Sequence, residues 1–175
     1  KMSTYKNPDM PRGLVPVRMA NSSPYTGGCE RLYVDGTQTD DLFQGDPVYI
    51  TGGGDSRGYR AVALADAAGP VTGVIVGFEL DAERDPLGYL PKATAGYALV
   101  ATDPGLQCVI QASDVITTAD FSKNASFLLA QGSVNYRHSK VELDQGTVAT
   151  SAALPMQIIG LFDTPENVLT DEAGA

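Results

Sequence analysis

Tryptophan is missing from these 175 residues, histidine occurs once and cysteine twice. Each scarcity removes a class of chemistry. The single histidine, His138, stands in Asn135-Tyr136-Arg137-His138-Ser139-Lys140, and no G-x-S-x-G elbow supplies a nucleophile for it to activate. A surface histidine is the simpler reading. Cys29 and Cys108 are too few and too far apart for a disulfide framework or a zinc centre, so two buried or half-buried free thiols are expected. No apolar run approaches the ~18 residues of a membrane helix, and no signal-peptide core follows the first residues. The chain therefore reads as soluble and made in a cytoplasm. Helix signals are almost as scarce. Only Thr118–Asn124, with Thr117 or Thr118 as cap, suits a single turn.

Turn formers are in surplus. Nineteen glycines and eleven prolines exceed ordinary usage, and they punctuate many short apolar runs. Leu42–Phe78 shows the pattern best, as three short strands joined by two glycine-rich turns. Strands are expected at Glu30–Val34, Pro47–Thr51, Tyr59–Ala65, Val71–Glu79, Tyr97–Ala101, Gln107–Ala112, Ser126–Ala130, Ser139–Leu143 and Met156–Phe162. Their length and spacing predict an all-β protein, a compact barrel or sandwich with little helix.

Three regions follow. Residues 1–28 hold Pro8, Pro11, Pro16 and Pro24, which leave no room for a useful helix and favour extended backbone. An extended arm and a disordered leader both fit that stretch. Residues 29–169 form the β body, and 170–175 a small acidic tail. Charge divides along the same line. Residues 1–31 carry five basic and two acidic side chains, a balance of +3, which leaves −12 for the rest of a chain whose net charge is −9. An acidic body argues against nucleic acid as a partner, whereas a cationic leader suits an acidic protein surface.

The remaining motifs each have a plain explanation. Asp35-Gly36-Thr37-Gln38-Thr39-Asp40-Asp41 with Asp46 suggests a calcium loop, but its glycine and its last ligand do not match an EF-hand, and only an irregular site stays open. Asp81, Glu83 and Asp85 are neighbours in one acidic loop, not carboxylates set across a cleft. Gly52-Gly53-Gly54 leads into a strand without the Gly-Lys-Ser/Thr of a phosphate loop, so it reads as a hairpin tip. The eight tyrosines are scattered and not interleaved with basic residues. No cofactor, metal or catalytic residue is expected.

Several segments in order resemble a known group. They are Phe43-Gln44-Gly45-Asp46-Pro47-Val48-Tyr49-Ile50, Gly73–Phe78, Ala101–Ala112 with its Asp103-Pro104-Gly105 turn, and Ala153–Asn167. Together they are similar to the head decoration, or cement, proteins of tailed bacteriophages, over roughly residues 12–168. The resemblance implies a non-enzymatic virion protein on the outer capsid surface, a homotrimer clamped over junctions of the major capsid protein, with no membrane or nucleic-acid partner. A terminal arm would reach neighbouring subunits, and the arm's mixture of apolar and cationic groups points to Tyr5, Pro8, Met10, Arg12, Leu14, Val15 and Arg18 as capsid contacts. A β-structured tail or receptor-binding spike protein is the alternative, with glycans as the ligand. The absence of tryptophan tells mildly against it. An enzyme using Asp81, Glu83 or His138 is the remaining reading.

Overall fold

The structure, a computed structural model, describes residues 9–79 and 88–162. Among them are twelve strands and a single turn of 3₁₀ helix at Thr118–Asp120, so the fold is all-β. Strands β1 (Val15–Met19), β2 (Glu30–Asp35), β3 (Leu42–Phe43), β4 (Pro47–Gly54), β5 (Arg60–Leu64) and β6 (Gly73–Phe78) come first. They are followed by β7 (Tyr89–Leu90), β8 (Ala95–Ala101), β9 (Leu106–Val109), β10 (Asn124–Leu128), β11 (Glu142–Ala149) and β12 (Met156–Gln157).

Five of these close a barrel in the order β2-β5-β4-β6-β8. The β8–β2 pair shuts it through six antiparallel partners, from Glu30↔Val100 to Asp35↔Ala95, while β2 and β5 run parallel. Alternation explains the choice of faces. Along β2, Leu32 and Val34 point inward and are buried while Arg31 and Tyr33 lie on the outer side. Val48, Val62, Ile75, Ala98 and Val100 complete the interior, with Leu42 and Leu90 from the β3–β7 pair at one end. Closure leaves no free edge within the barrel. It also requires Gly73, because a Cβ there would collide with the Ala101 carbonyl oxygen.

A three-stranded sheet, β11-β10-β12, packs beside the barrel. Val74 meets Phe127, Val141 and Leu14 in a second core cluster, bordered by Cys108, Ile110 and Met156. A third cluster of Ala125, Leu143 and Ile158 continues from the second, the two sharing Ile110 and Met156 at their border. Thr117 caps the 3₁₀ turn by donating its backbone N–H (3.0 Å) and hydroxyl (2.9 Å) to the Asp120 carboxylate.

Sequence expectations hold for most strands and differ in instructive places. Leu42–Phe78 contains four strands instead of three, because the pair Leu42–Phe43 finds a partner in Tyr89–Leu90. Gln145 and Gly146 lie inside β11. There the register jumps between Asn124↔Ala149 and Ser126↔Asp144, and the surplus residues form a bulge. The strand expected at Ser139–Leu143 therefore starts at Glu142, and the one expected at Met156–Phe162 is only Met156–Gln157.

The described part of the proline-rich leader, residues 9–28, packs on the body. Residues Val15–Met19 form β1 against β9, with Pro16 opposite Cys108 beside an irregular register. A two-stranded ribbon tolerates the missing proline N–H where an interior strand would not. The boundary drawn at residue 28 thus does not separate two packing units.

Candidate functional site

The leader is locked to the body through a seam of three distant segments. Leu14 N–H donates to the Gly45 carbonyl oxygen at 2.9 Å, Gly45 N–H to Ile75 O at 2.8 Å, and Ser139 N–H to Gln44 O at 2.9 Å. The backbones approach so closely that side chains are excluded. Gly13, at φ +70°, has Gly45 O and Ser139 Cβ each 2.5 Å from where its own Cβ would be, and Gly45, at φ +95°, has Arg12 O equally near.

Asp46 sits in this seam, buried, with its carboxylate accepting the Phe43 N–H at 2.7 Å and a hydrogen bond from the fully buried Ser139 side chain. Desolvation pushes its pKa up to about 6, against the lowering effect of those two hydrogen bonds. The Ser139 hydroxyl oxygen in turn accepts the Val141 N–H at 3.0 Å. Asp46 is therefore an internal bracket between the barrel and the residues leading into β11, not part of a calcium loop with Asp35. The Asp35 carboxylate instead takes the Thr37 N–H and hydroxyl, which lower its pKa.

Anchoring at the seam presents the leader's other side chains outward. Met10 is 55% exposed and Val15 45%, and Arg12 is exposed beside them. Arg18 is exposed too, its Nε donating to Gln107 Oε1 at 2.5 Å. Met10 N–H reaches Gln111 Oε1 at 3.2 Å. Leu14 differs from the sequence expectation, since it is only 7% exposed and packs on Val74, Phe127 and Val141. It fastens the leader and offers nothing to a partner. The expected contacts Tyr5 and Pro8 lie outside the described residues, as do Asp81, Glu83 and Asp85.

A second polar cluster gathers tyrosines that are scattered along the sequence. On the barrel exterior the Arg31 guanidinium lies 3.9 Å over the Tyr97 ring and 4.6 Å from that of Tyr59, and pairs with Glu79 at 2.5 Å. Tyr33 stands 5.8 Å from Tyr97, its antiparallel partner. The Tyr97 hydroxyl donates to Asp55 Oδ2 at 2.5 Å, which lowers the Asp55 pKa and raises that of Tyr97. Arg31 already occupies the tyrosine faces, so the cluster braces β2, β8 and the β4–β5 turn. The outward phase of Arg31 and Tyr33 on β2 was the one available clue.

The thiols also separate. Cys29 is exposed, whereas Cys108 is half-buried and its pKa is pushed up to about 11 by desolvation. His138 is half-buried, with its ring stacked on Tyr136 and Nδ1 2.8 Å from the Ser139 carbonyl oxygen. Among the described residues no group of three or more His, Cys, Asp or Glu is placed to hold a metal ion, and no helix is long and apolar enough to cross a membrane.

Comparison with protein-family models, with curated proteins and with solved structures finds no match for this chain.

Proposed function

We propose that the chain is a structural, non-enzymatic protein that decorates and stabilises a bacteriophage capsid, bridging subunits of the major capsid protein on the outer surface of the virion. The observation that carries this reading is the leader strapped across a closed barrel, with Met10, Arg12, Val15 and Arg18 held outward from a body that is otherwise strongly acidic. Cementing needs a rigid body and several shallow contacts, because sites engaged together on a lattice multiply weak affinities. Strapping the leader in place removes part of the ordering cost that a free arm would meet on binding. The homotrimer implied by the resemblance suits a symmetric shell and belongs to the same proposal.

Leu14 dictates how the test is made. Removal of residues 1–18 would take Leu14 from the core and β1 from its ribbon, confusing loss of contact with loss of fold. The variant Arg12→Glu/Val15→Ser/Arg18→Glu leaves Gly13 and Leu14 untouched. Its occupancy on purified capsids should fall at least ~tenfold while its thermal melt stays close to that of the parent. Unchanged occupancy would overturn the proposal. Binding of the isolated protein on a glycan array would point instead to a receptor-binding spike.

A further inference from the structure

The connection from β10 to β11 ends in a tip that the capsid reading leaves without a role. Tyr136 there is 72% exposed and Val134 48%. The tip is built to hold its shape. Ser133 N–H donates to His138 O at 2.9 Å, Arg137 N–H to Ser133 O at 2.6 Å, and Tyr136 N–H to Ser133 Oγ at 3.3 Å. The Tyr136 ring stacks on His138, with centroids 5.9 Å apart and planes 20° apart. Arg137 takes φ +58°, a conformation that L-residues rarely adopt and that persists only where the surroundings enforce it. At the base, Gly132 is pressed against the Phe43 ring, where a Cβ would not fit. A large aromatic group displayed on a preorganised loop loses little entropy when it binds.

Charge indicates what the tip fits. From Phe121 through Val141 the chain carries Lys123, Arg137 and Lys140 and no acidic residue, within a chain of net charge −9. Lys140 is exposed, and its ammonium makes no hydrogen bond or ion pair among the described residues. The complementary surface is on the same molecule. A depression of about 190 Å³ is lined by Asp40, Asp41, Leu64, Leu129 and Gln131, an acidic rim over apolar walls. Asp40 is exposed, and the partner seen for its carboxylate is the neighbouring Thr39 hydroxyl. Leu129, Gln131 and Gly132 belong both to this depression and to the stem of the tip, so donor and acceptor surfaces adjoin each other.

Adjacent complementary patches satisfy a two-fold axis, since each copy then offers its tip to the other's depression and the contact is made twice. We propose that this surface joins two copies of the chain, Tyr136 of each entering the Asp40–Asp41 depression of the other with Lys140 set against Asp40. The contact is small and therefore weak in solution, and it gains from the high local concentration of copies fixed on a common support. It does not depend on the capsid reading.

Sedimentation equilibrium of the purified chain, up to about 0.5 mM, tests it. The parent should associate reversibly in pairs, monomer to dimer or trimer to hexamer, and more weakly as salt rises. Tyr136→Ala and Lys140→Glu should each weaken association at least ~tenfold with unchanged thermal melts. Adding Asp40→Lys to Lys140→Glu should restore it, because the charges are then exchanged across the axis. A chain that stays monomeric throughout overturns the proposal, and so does an oligomer indifferent to both single substitutions. A trimer of the latter kind would leave the capsid reading standing.

Discussion

The barrel and the seam beside it hold the same molecule together by opposite means. Inside the barrel, Leu32, Val48, Val62, Ile75 and Val100 fill space with branched aliphatic side chains supplied by alternate positions of consecutive strands. In the seam, Gly13, Gly45, Asp46 and Ser139 remove side chains or bury polar ones so that three backbones come within hydrogen-bonding distance. The barrel interior gains from apolar area, and the side chains that fill it do not titrate. The seam depends on backbone conformation and on one buried carboxyl group. A close junction of distant segments can therefore be built from residues that look like loop punctuation.

The contrast can be broken at either end. Ile75→Ala empties a fully buried position and should cost about 2–5 kcal/mol in urea unfolding, with little change between pH 4 and 7. Gly13→Ala should cost about 2–3 kcal/mol, from strain at positive φ and from collision with Gly45 and Ser139. Its distinguishing mark is location, since the Leu14 amide should exchange with solvent well before the amides of β2 and β8.

Asp46 sharpens the comparison through pH. Its folded pKa of about 6 lies above the ordinary 3.8, so the folded protein binds this proton more tightly than the unfolded chain. The stabilisation is complete below about pH 3.8 and disappears as pH rises through about 6, amounting to up to about 3 kcal/mol. Carboxylates with lowered pKa values, such as Asp35, act in the opposite direction and mask it in the total. The measurement is therefore a difference. The stability of Asp46→Asn minus that of the parent should rise by about 2–3 kcal/mol from pH 4 to pH 7, and a flat difference would mean that the carboxyl is not desolvated. Smallest of all, Arg60→Ala should cost under about 1 kcal/mol, because the Arg60–Glu30 pair at 2.7 Å is half exposed on both sides.

Much of the barrel was legible in the residues. β2, β4, β5, β6 and β8 fall within or beside segments whose β-branched and aromatic residues are bounded by Gly, Pro and Asp. The Asp55–Tyr59 reversal is set locally, by Asp55 Oδ1 accepting the Arg57 and Tyr59 N–H groups. β1, β3 and β7 were not legible, because two-residue strands and proline-containing ones carry little local preference and exist only through their partners. The candidate contacts fared unevenly for the same reason. Val15 and Leu14 are equivalent apolar neighbours in the sequence, and only packing on Phe127 and Val141 decides that one is exposed and the other buried.

By itself, the sequence determined the all-β class, the positions of most turns and the separation of a cationic leader from an acidic body. These follow from local backbone preference and from composition, which need no partner. Tertiary structure alone decided that the leader is strapped down, that Asp46 and Ser139 meet, and that Arg31 lies between Tyr59 and Tyr97. Each of those depends on register between segments far apart in the chain, where a shift of one residue turns every side chain to the opposite face.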